Sequence, residues 1–497
     1  MMSRIPLLFF CLWVVGQCCS CSQVDQTEIK KKRPNILFLS IDDLRPDLGC
    51  YGKDYIHSPH IDRLAEESTI FTRHYVQVAT CGASRYAMLT GMLPVSQDHV
   101  NNQAIVKYIS SQSDSLKGPE SFIHHLKDNG YHTVGIGKIS HSADGYVYGY
   151  REPQSNQREL PQSWSELEFN AGQWGNGWNA FFAYANGVSR EPMDKQVKPY
   201  ESAQVEDDGY PDGLTAELAV SKLKELADRE DPFFLGVGFF KPHLPFTAPQ
   251  KYWDLYDREE IELAPYDSIP VNSAPSSLQN MGEFNGYKKG EERASLEKKL
   301  SDDYAQLLRH GYYASISYTD AQVGKVLDAL DELGLSENTI IVLWGDHGYN
   351  LGDYRVWGKH TMFDRSLNSA FIMKVPGISQ ARTTDRIVST VDLYPTLMDL
   401  CEVPMPHDTD GRSFKKILEG EEKDWKDVSY GYWRNGMTVR NDRYRLMRFN
   451  REDGPQFELY DHETDPLETI NVAQLYPDKV EELQELLNAG DTGLHDE

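Results

Sequence analysis

The sequence predicts an α/β fold: a mostly parallel central sheet flanked by helices, with a smaller antiparallel sheet and helix near the C-terminus. Three observations predict it. Short, almost unbroken apolar runs recur between Ile36 and Trp344, as strands buried on both faces require. Segments with helical boundaries separate those runs, and strand–helix alternation marks the α/β class. Beyond about residue 425 the texture changes to short alternating strands.

Residues 1–21 are expected to be a removable leader. Arg4 precedes the apolar run Ile5 to Val15, which is too short to span a bilayer and suits a signal peptide. The run ends in Gln17-Cys-Cys-Ser-Cys21, which resembles a bacterial lipoprotein cleavage site, with Cys21, Cys19 or Cys18 as the lipidated residue. Residues 22–33 read as a polar tether. The expected location is outside the cytoplasm, in the periplasm or on the outer membrane of a bacterium, with membrane attachment through an N-terminal lipid.

The main domain is expected over residues 34–424. Ile36-Leu-Phe-Leu-Ser-Ile41 is its first core strand and leads into Asp42-Asp43. A helix follows at Ser121 to Asn129, stopped by Gly130. The run Thr133 to Ile136 leads into Gly137-Lys-Ile-Ser-His141. Gly145 to Tyr210 is irregular and too long for a plain connector, so it is expected to wall a pocket. Within it Trp164, Trp174 and Trp178 either stack on sugar rings or pack as a satellite core. A helix covers Leu214 to Asp228, and Phe233 to Val237 passes through Phe239-Phe240 into Lys241-Pro-His243. A longer helix spans Asp302 to Leu333, with Ser301 as its cap and Gly334 as its stop. Thr339 to Trp344 then leads into Gly345-Asp-His-Gly348. Residues 425–497 supply strands at Val428–Trp433, Gly436–Arg440, Tyr444–Phe449 and Phe457–Tyr460, a turn at Asp461–Pro466, and a closing helix from Pro477 to Leu487.

With 50 Lys and Arg against 76 Asp and Glu, the net charge is −26, which argues against a nucleic-acid partner. An anionic substrate must therefore meet cations concentrated in a pocket. Without the leader, three cysteines remain: Cys50, Cys81 and Cys401. They form neither a disulfide framework nor a zinc-like spacing.

In an open α/β sheet, ligands gather beyond the carboxyl ends of the strands. One polar strand ending is an ordinary turn; four of them point to a site. Asp42, Asp43 and Asp346 would repel one another, and a hard divalent cation such as Ca²⁺ resolves this. His347 offers a nitrogen beside them. Arg85, Lys138 and Lys359 are candidates to hold a tetrahedral oxyanion, and His141 and His243 to transfer protons near neutrality.

Cys81 stands in Thr-Cys-Gly-Ala-Ser-Arg-Tyr-Ala-Met-Leu-Thr-Gly, residues 80–91. Cys81-x-Ala83-x-Arg85 followed by Leu89-Thr-Gly91 resembles the signature of type I sulfatases, whose cysteine is oxidised to formylglycine. The usual middle residue is Pro; Ala is accepted there, particularly in chains matured by the oxygen-independent radical enzyme. The resemblance runs from Pro34 to the segment Glu458 to Pro466. Gly137-Lys-Ile-Ser-His141, Phe240-Lys-Pro-His-Leu-Pro-Phe246 and Gly345-Asp-His-Gly-Tyr-Asn-Leu-Gly-Asp353 with Trp357-Gly-Lys359 are most similar to iduronate-2-sulfatases.

The resemblance implies an alkaline-phosphatase-like fold with a large mixed, mostly parallel sheet. It implies Ca²⁺ bound by Asp42, Asp43, Asp346 and His347 with the modified Cys81. Arg85 and Lys138 would steady the formylglycine hydrate, with His141 as its base; His243 and Lys359 would bind sulfate and help the alcohol depart. In such a hydrate one hydroxyl attacks sulfur, and deprotonating the other re-forms the carbonyl and ejects sulfate. The implied partners are a formylglycine-generating maturase and a sulfated oligosaccharide. The activity implied is that of an exported carbohydrate sulfatase acting on the 2-O-sulfate of a uronic acid in glycosaminoglycan oligosaccharides. Other readings are a sulfatase of algal polysaccharides, a phosphatase or phosphodiesterase of the same superfamily, and a lipoprotein that binds glycans without turnover.

Overall fold

A computed structural model describes residues 33–109, 118–278, 281–378 and 381–496. The expected leader, and the tether up to residue 32, lie outside the described residues.

The central sheet has eight strands. From edge to edge they are Arg382–Ser389, Thr69–Tyr75, Phe371–Lys374, Thr339–Gly345, Asn35–Ile41, Phe233–Phe239, His132–Gly137 and Glu166–Glu168. Phe371–Lys374 runs antiparallel to both neighbours, and the other pairings are parallel. The sheet is thus mixed and mostly parallel. Its four central apolar strands are those legible from hydrophobicity. The others, such as Thr69-Ile-Phe-Thr-Arg-His-Tyr75, mix polar residues into short or outer positions, where one face or end meets water.

Alternation along Asn35–Ile41 builds two cores. Leu37, Leu39 and Ile41 join the core that takes Leu308, Tyr312 and Ile316 from the helix Asp302–Glu332. Ile36 and Phe38 face the other core with Met88, Phe122, Leu397 and Trp344. The long helix begins after Ser301 and ends before Gly334, whose φ of 66° is left-handed. Ser301 occupies the cap position, but its hydroxyl donates to Glu292 instead of capping the helix. Ser121 does cap its helix, accepting from the His124 N–H at 3.1 Å.

Register brings the strand ends to one level. Ile41 pairs with Phe239 on one side and Gly345 on the other, and Gly137 pairs with Gly238. Asp42, Phe240, Asp346 and Lys138 therefore leave the sheet side by side. A Cβ on Gly238 would lie 2.3 Å from the Lys138 carbonyl oxygen and 2.5 Å from its nitrogen. These are backbone atoms of the residue that follows the strand His132–Gly137 and cannot rotate away like a side chain. Gly238→Ala is expected to cost about 3 kcal/mol or more, read as a lowered unfolding midpoint; unchanged stability would contradict this register.

The irregular section packs its tryptophans inward. Trp164, Trp174 and Trp178 are 3%, 4% and 3% exposed, which decides for packing over sugar stacking. Trp164 lies against the strand at Gly135, where a Cβ would sit 3.0 Å from its ring. Trp174 donates to the Tyr184 carbonyl and Trp178 to the Tyr148 carbonyl, each at 2.9 Å. Trp174 and Trp178 join Phe181, Phe182 and Phe240 in a satellite core.

Near the C-terminus, Val428–Trp433, Gly436–Asn441, Tyr444–Arg451 and Gly454–Asp461 form an antiparallel sheet in sequence order. The helix Pro477–Asn488 packs on it through Val480, Leu483 and Leu487. Arg445 of this sheet is buried and bonds Glu468 at 2.5 Å and Asp364 at 2.8 Å, tying the sheet to the short helix Asp364–Leu367 that precedes Phe371–Lys374. No helix among the described residues is long and apolar enough to cross a membrane.

Candidate active site

Cys81 is the first residue of the helix Cys81–Thr90, following Thr80 in extended conformation. All ten helix residues are buried, and Gly91, with φ of 67°, closes the helix. The helix N-terminus, with its partial positive charge, faces the strand ends. Arg85, one turn on, is fully buried and clamps three strand ends together. Its Nε donates to Asp346 Oδ2 at 3.0 Å, and its Nη1 to Ser40 Oγ, the Lys138 carbonyl and the Ile139 carbonyl at 2.9, 2.5 and 3.1 Å. Its Nη2 pairs with Asp346 Oδ2 at 3.0 Å and lies 3.8 Å from Asp42 Oδ1, without a well-aligned hydrogen bond among the described residues.

Asp42 and Asp43 are both fully buried. Asp42 binds the Lys138 ammonium directly. Burial alone pushes its carboxyl up, but Lys138, His243, Arg85 and Lys359 outweigh that and hold it well below the usual carboxylate range. Asp43 is different: burial, with Asp42 and Asp346 nearby, raises it to about 7 despite Lys359 and His347. Its backbone has a left-handed φ of 60°, pinned by a 2.9 Å bond from its N–H to Asp346 Oδ1 and a 2.7 Å bond from the Tyr312 hydroxyl to its carbonyl. Its Oδ1 accepts from Lys359 at 2.8 Å, and its Oδ2 has no hydrogen-bond partner among the described residues.

The donor atoms of Asp42, Asp43, Cys81 and His347 lie within 4.8 Å of one another. His347 Nδ1 lies 3.0 Å from the Gly348 carbonyl, so its proton sits there. The Nε2 lone pair is left facing Cys81 Sγ at 3.3 Å and Asp43 Oδ1 at 3.4 Å. Asp346 stands beside this cluster, bonded to Arg85 and to the Asp43 N–H, with Oδ1 3.6 Å from His347 Nε2. Crowded carboxylates, an orphaned oxygen and an inward-facing imidazole fit a hard divalent cation. The thiol is the misfit. Burial, and then Asp42, push it well above its ordinary value, so it stays protonated, a poor nucleophile and a poor ligand.

These groups open into a cavity of about 260 Å³ lined by Cys81, Lys138, His141, His243 and Lys359. His141 Nδ1 has no partner among the described residues; burial and then Lys138 hold its imidazole neutral, well below its ordinary value. His243 Nδ1 bonds the Leu244 carbonyl at 2.6 Å, which aims Nε2 at Glu283, 3.1 Å away. Lys241 holds the same loop through the carbonyls of His243 and Pro245, at 3.0 and 2.7 Å.

Sequence reasoning did not find Glu283, Arg190, Lys195 or Tyr150, all of which line the cavity. Glu283 pairs with His243 and, at 3.5 Å, with Lys359. Tyr150, 41% exposed, presents the open aromatic face that the buried tryptophans do not, with Trp178 packed edge-on beneath it. These four residues sit in loops without periodicity or motif, so no sequence signal marked them.

Comparison with known proteins bears on what such a site does. The profile of the Sulfatase family matches residues 34–403, and that of the N-sulphoglucosamine sulphohydrolase C-terminal region matches residues 352–491. Iduronate 2-sulfatase of Mus musculus is 30% identical over 437 residues, covering 80% of this chain and 74% of its own. Among solved structures, the phosphonate monoester hydrolase of Agrobacterium radiobacter superposes with a TM-score of 0.74 at 23% identity, covering 92% of this chain and 95% of its own. A structure described as a 2-O GAG sulfatase superposes with a TM-score of 0.65 at 22% identity, covering 92% of each chain. The fold is therefore shared with hydrolases of both phosphonate and sulfate esters and does not choose between them; the family match does. It spans every strand end that carries the cluster, and it shows that this chain belongs to the sulfatase family and is a sulfuric ester hydrolase.

Proposed function

We propose that this sulfatase acts on the 2-O-sulfate of a uronic acid in glycosaminoglycan oligosaccharides, through formylglycine made from Cys81 by a maturase. The observation that carries the reading is residue 81 itself, which begins a buried helix in a cavity shared with two lysines and two histidines. Burial and then Asp42 push an unmodified thiol there well above its ordinary value, which makes it a poor nucleophile and supports conversion. Likeness to iduronate 2-sulfatase supports the substrate class.

Formylglycine, as its hydrate, supplies one hydroxyl to attack sulfur and a second whose deprotonation releases sulfate. Asp42, Asp43, Asp346 and His347, with residue 81, would hold Ca²⁺, which supplies positive charge beside the reacting oxygens. The unpartnered nitrogen of neutral His141 is suited to take a proton. Lys138 and Lys359 face the sulfate oxygens as fixed positive charges in a site with little water. With Nδ1–H held by the Leu244 carbonyl, His243 can donate from Nε2 to the departing alcohol when its ring is doubly protonated, a form that Glu283 at 3.1 Å favours against burial and Lys359. Arg85 acts through position: it holds Asp346 and the Lys138 backbone, and so the wall behind residue 81. The leader expected at residues 1–21 would carry the enzyme out of the cytoplasm, where extracellular glycans are met.

The test is sulfate release from defined sulfated disaccharides together with the mass of the tryptic peptide containing residue 81. The non-reducing 2-O-sulfated uronate is expected to exceed 6-O- and N-sulfated glucosamines and algal-type fragments by at least about a hundredfold in kcat/KM. The peptide mass is expected to fall by the difference between a thiol-bearing methylene and an aldehyde. Faster release from an algal fragment would replace the substrate assignment. An unmodified cysteine in fully active protein would remove the formylglycine.

A further inference from the structure

Although the chain carries a net charge of −26, the outer wall of the cavity is positive. We propose that Arg190 and Lys195 form a second anion subsite there, which binds the carboxylate on the same sugar ring that bears the scissile sulfate. The proposal rests on the carbohydrate-sulfatase reading above and narrows it.

The rim gathers four cations, Arg151, Arg190, Lys195 and Lys288, around two carboxylates, Glu191 and Asp194. Arg151 bonds Glu191 at 2.9 Å and Asp194 at 3.0 Å; Lys288 takes Asp194 at 3.1 Å; Arg190 Nε takes Glu191 at 3.0 Å. Two positive charges are left over. Glu283, the next carboxylate inward, already serves His243 and Lys359.

Arg190 is built into place. It is 5% exposed, with its guanidinium carbon 3.3 Å above the Phe182 ring centre and 5.2 Å from that of Tyr287. Its Nη1 donates to the Tyr287 hydroxyl at 3.3 Å. Stacking between rings fixes the plane of the fork, and a fixed planar fork matches a carboxylate edge to edge. Against burial, Tyr287, Glu283 and Glu191 keep the buried guanidinium charged, so it presents a fixed positive charge to an arriving anion.

Lys195 is held by strain. Asp194 and Lys195 take left-handed φ values of 49° and 61° in succession, a costly pair for residues with side chains. The turn is closed by the Lys195 N–H on the Arg190 carbonyl at 2.9 Å and by the Lys288 N–H on the Lys195 carbonyl at 2.9 Å. Lys195 lines the cavity, and its charge reaches Glu191, the carboxylate that Arg151 and Arg190 already share.

The lining fixes where the second anion sits. The cavity, of about 260 Å³, carries both pairs of cations in one lining, so an anion at each pair can belong to one ring. Lys359, 3.4 Å from Cys81 Sγ, marks the sulfate end, and Arg190 and Lys195 line the same cavity from the turn at residues 190–195. The planar fork favours a carboxylate there over a second sulfate.

The experiment compares the full-length protein with its Arg190→Gln and Lys195→Met variants on three disaccharides. One ends in a 2-O-sulfated uronate, one in its carboxyl-reduced neutral counterpart, and one in a neutral ring carrying a second sulfate. For the wild type, kcat/KM on the uronate is expected to exceed that on the reduced ring by at least about thirtyfold. Each variant is expected to lower that ratio about tenfold or more, mainly through KM. Lys195 is half-buried, so its variant decides the matter should Arg190→Gln fail to fold. Equal turnover of uronate and reduced ring, or variants that slow both in the same proportion, would remove the subsite and leave the carbohydrate-sulfatase reading standing. Fastest turnover of the disulfated ring would overturn the carboxylate assignment. No release from any of the three would remove the reading and the subsite together.

Discussion

Cys81→Ala is expected to end sulfate release, lowering kcat/KM by on the order of 10⁵ or more, as loss of a covalent nucleophile does in other hydrolases. The variant should still fold. The thiol has only weak contacts, at 3.5 Å to Asp42, 3.3 Å to His347 and 3.4 Å to Lys359, and alanine is the strongest helix former at the start of Cys81–Thr90. What disappears is the sulfur whose oxidative loss turns Cβ into an aldehyde. Neither Ser84, whose hydroxyl is held by the Asp346 carbonyl at 2.5 Å, nor Thr80, in extended backbone before the helix, can replace it. Sulfate release and thermal unfolding measured on one preparation separate lost chemistry from lost structure. Activity within tenfold of wild type would require another nucleophile and would undo the proposed cycle.

Asp346→Asn is expected to reduce turnover by at least about 10³, through charge and not shape. Asp346 accepts from Arg85 with one oxygen and from the Asp43 N–H with the other. Asparagine keeps one acceptor and puts an NH₂ in place of the other, so one of these bonds is lost and the site loses a negative charge. The fold should survive, because Arg85 keeps its bonds to Ser40 and to the carbonyls of Lys138 and Ile139. Weakening a buried pair still costs about 3 kcal/mol, so the unfolding midpoint should fall. Bound divalent metal per chain, measured on the purified variant, should fall with activity. Full metal content and near-normal turnover would remove Asp346 from the metal site.

Much of the inner site was legible because it lies in the chain next to strong signals. Asp42-Asp43 and Asp346-His347 follow apolar strands, and such strands end where an α/β sheet gathers its ligands. Cys81 and Arg85 lie four residues apart on one helix, so local periodicity already places them on one face. The pocket wall had no comparable signal. Glu283, Arg190, Lys195 and Tyr150 sit in irregular segments, and each matters only through distant partners, as Glu283 does through His243 and Lys359.

The tryptophans mark the same boundary. Composition placed three of them in a wall segment, but only the bare face of the strand at Gly135 and the aromatic cluster around Phe181 and Phe182 turned them inward, leaving Tyr150 at the opening. Ser301 is a parallel case: its position at the helix start follows from the chain, whereas its hydroxyl is oriented by donating to Glu292 and accepts from no helix N–H.

From residue order alone came the four central strands, the main helices, the cluster of carboxylates at strand ends and the motif around Cys81, because hydrophobic period and short motifs are local properties of a chain. The level at which those ends meet, the charge balance around Asp43 and the cationic rim at Arg190 and Lys195 were decided only by folding. Register, burial and ring stacking depend on residues that are far apart in sequence and adjacent in space.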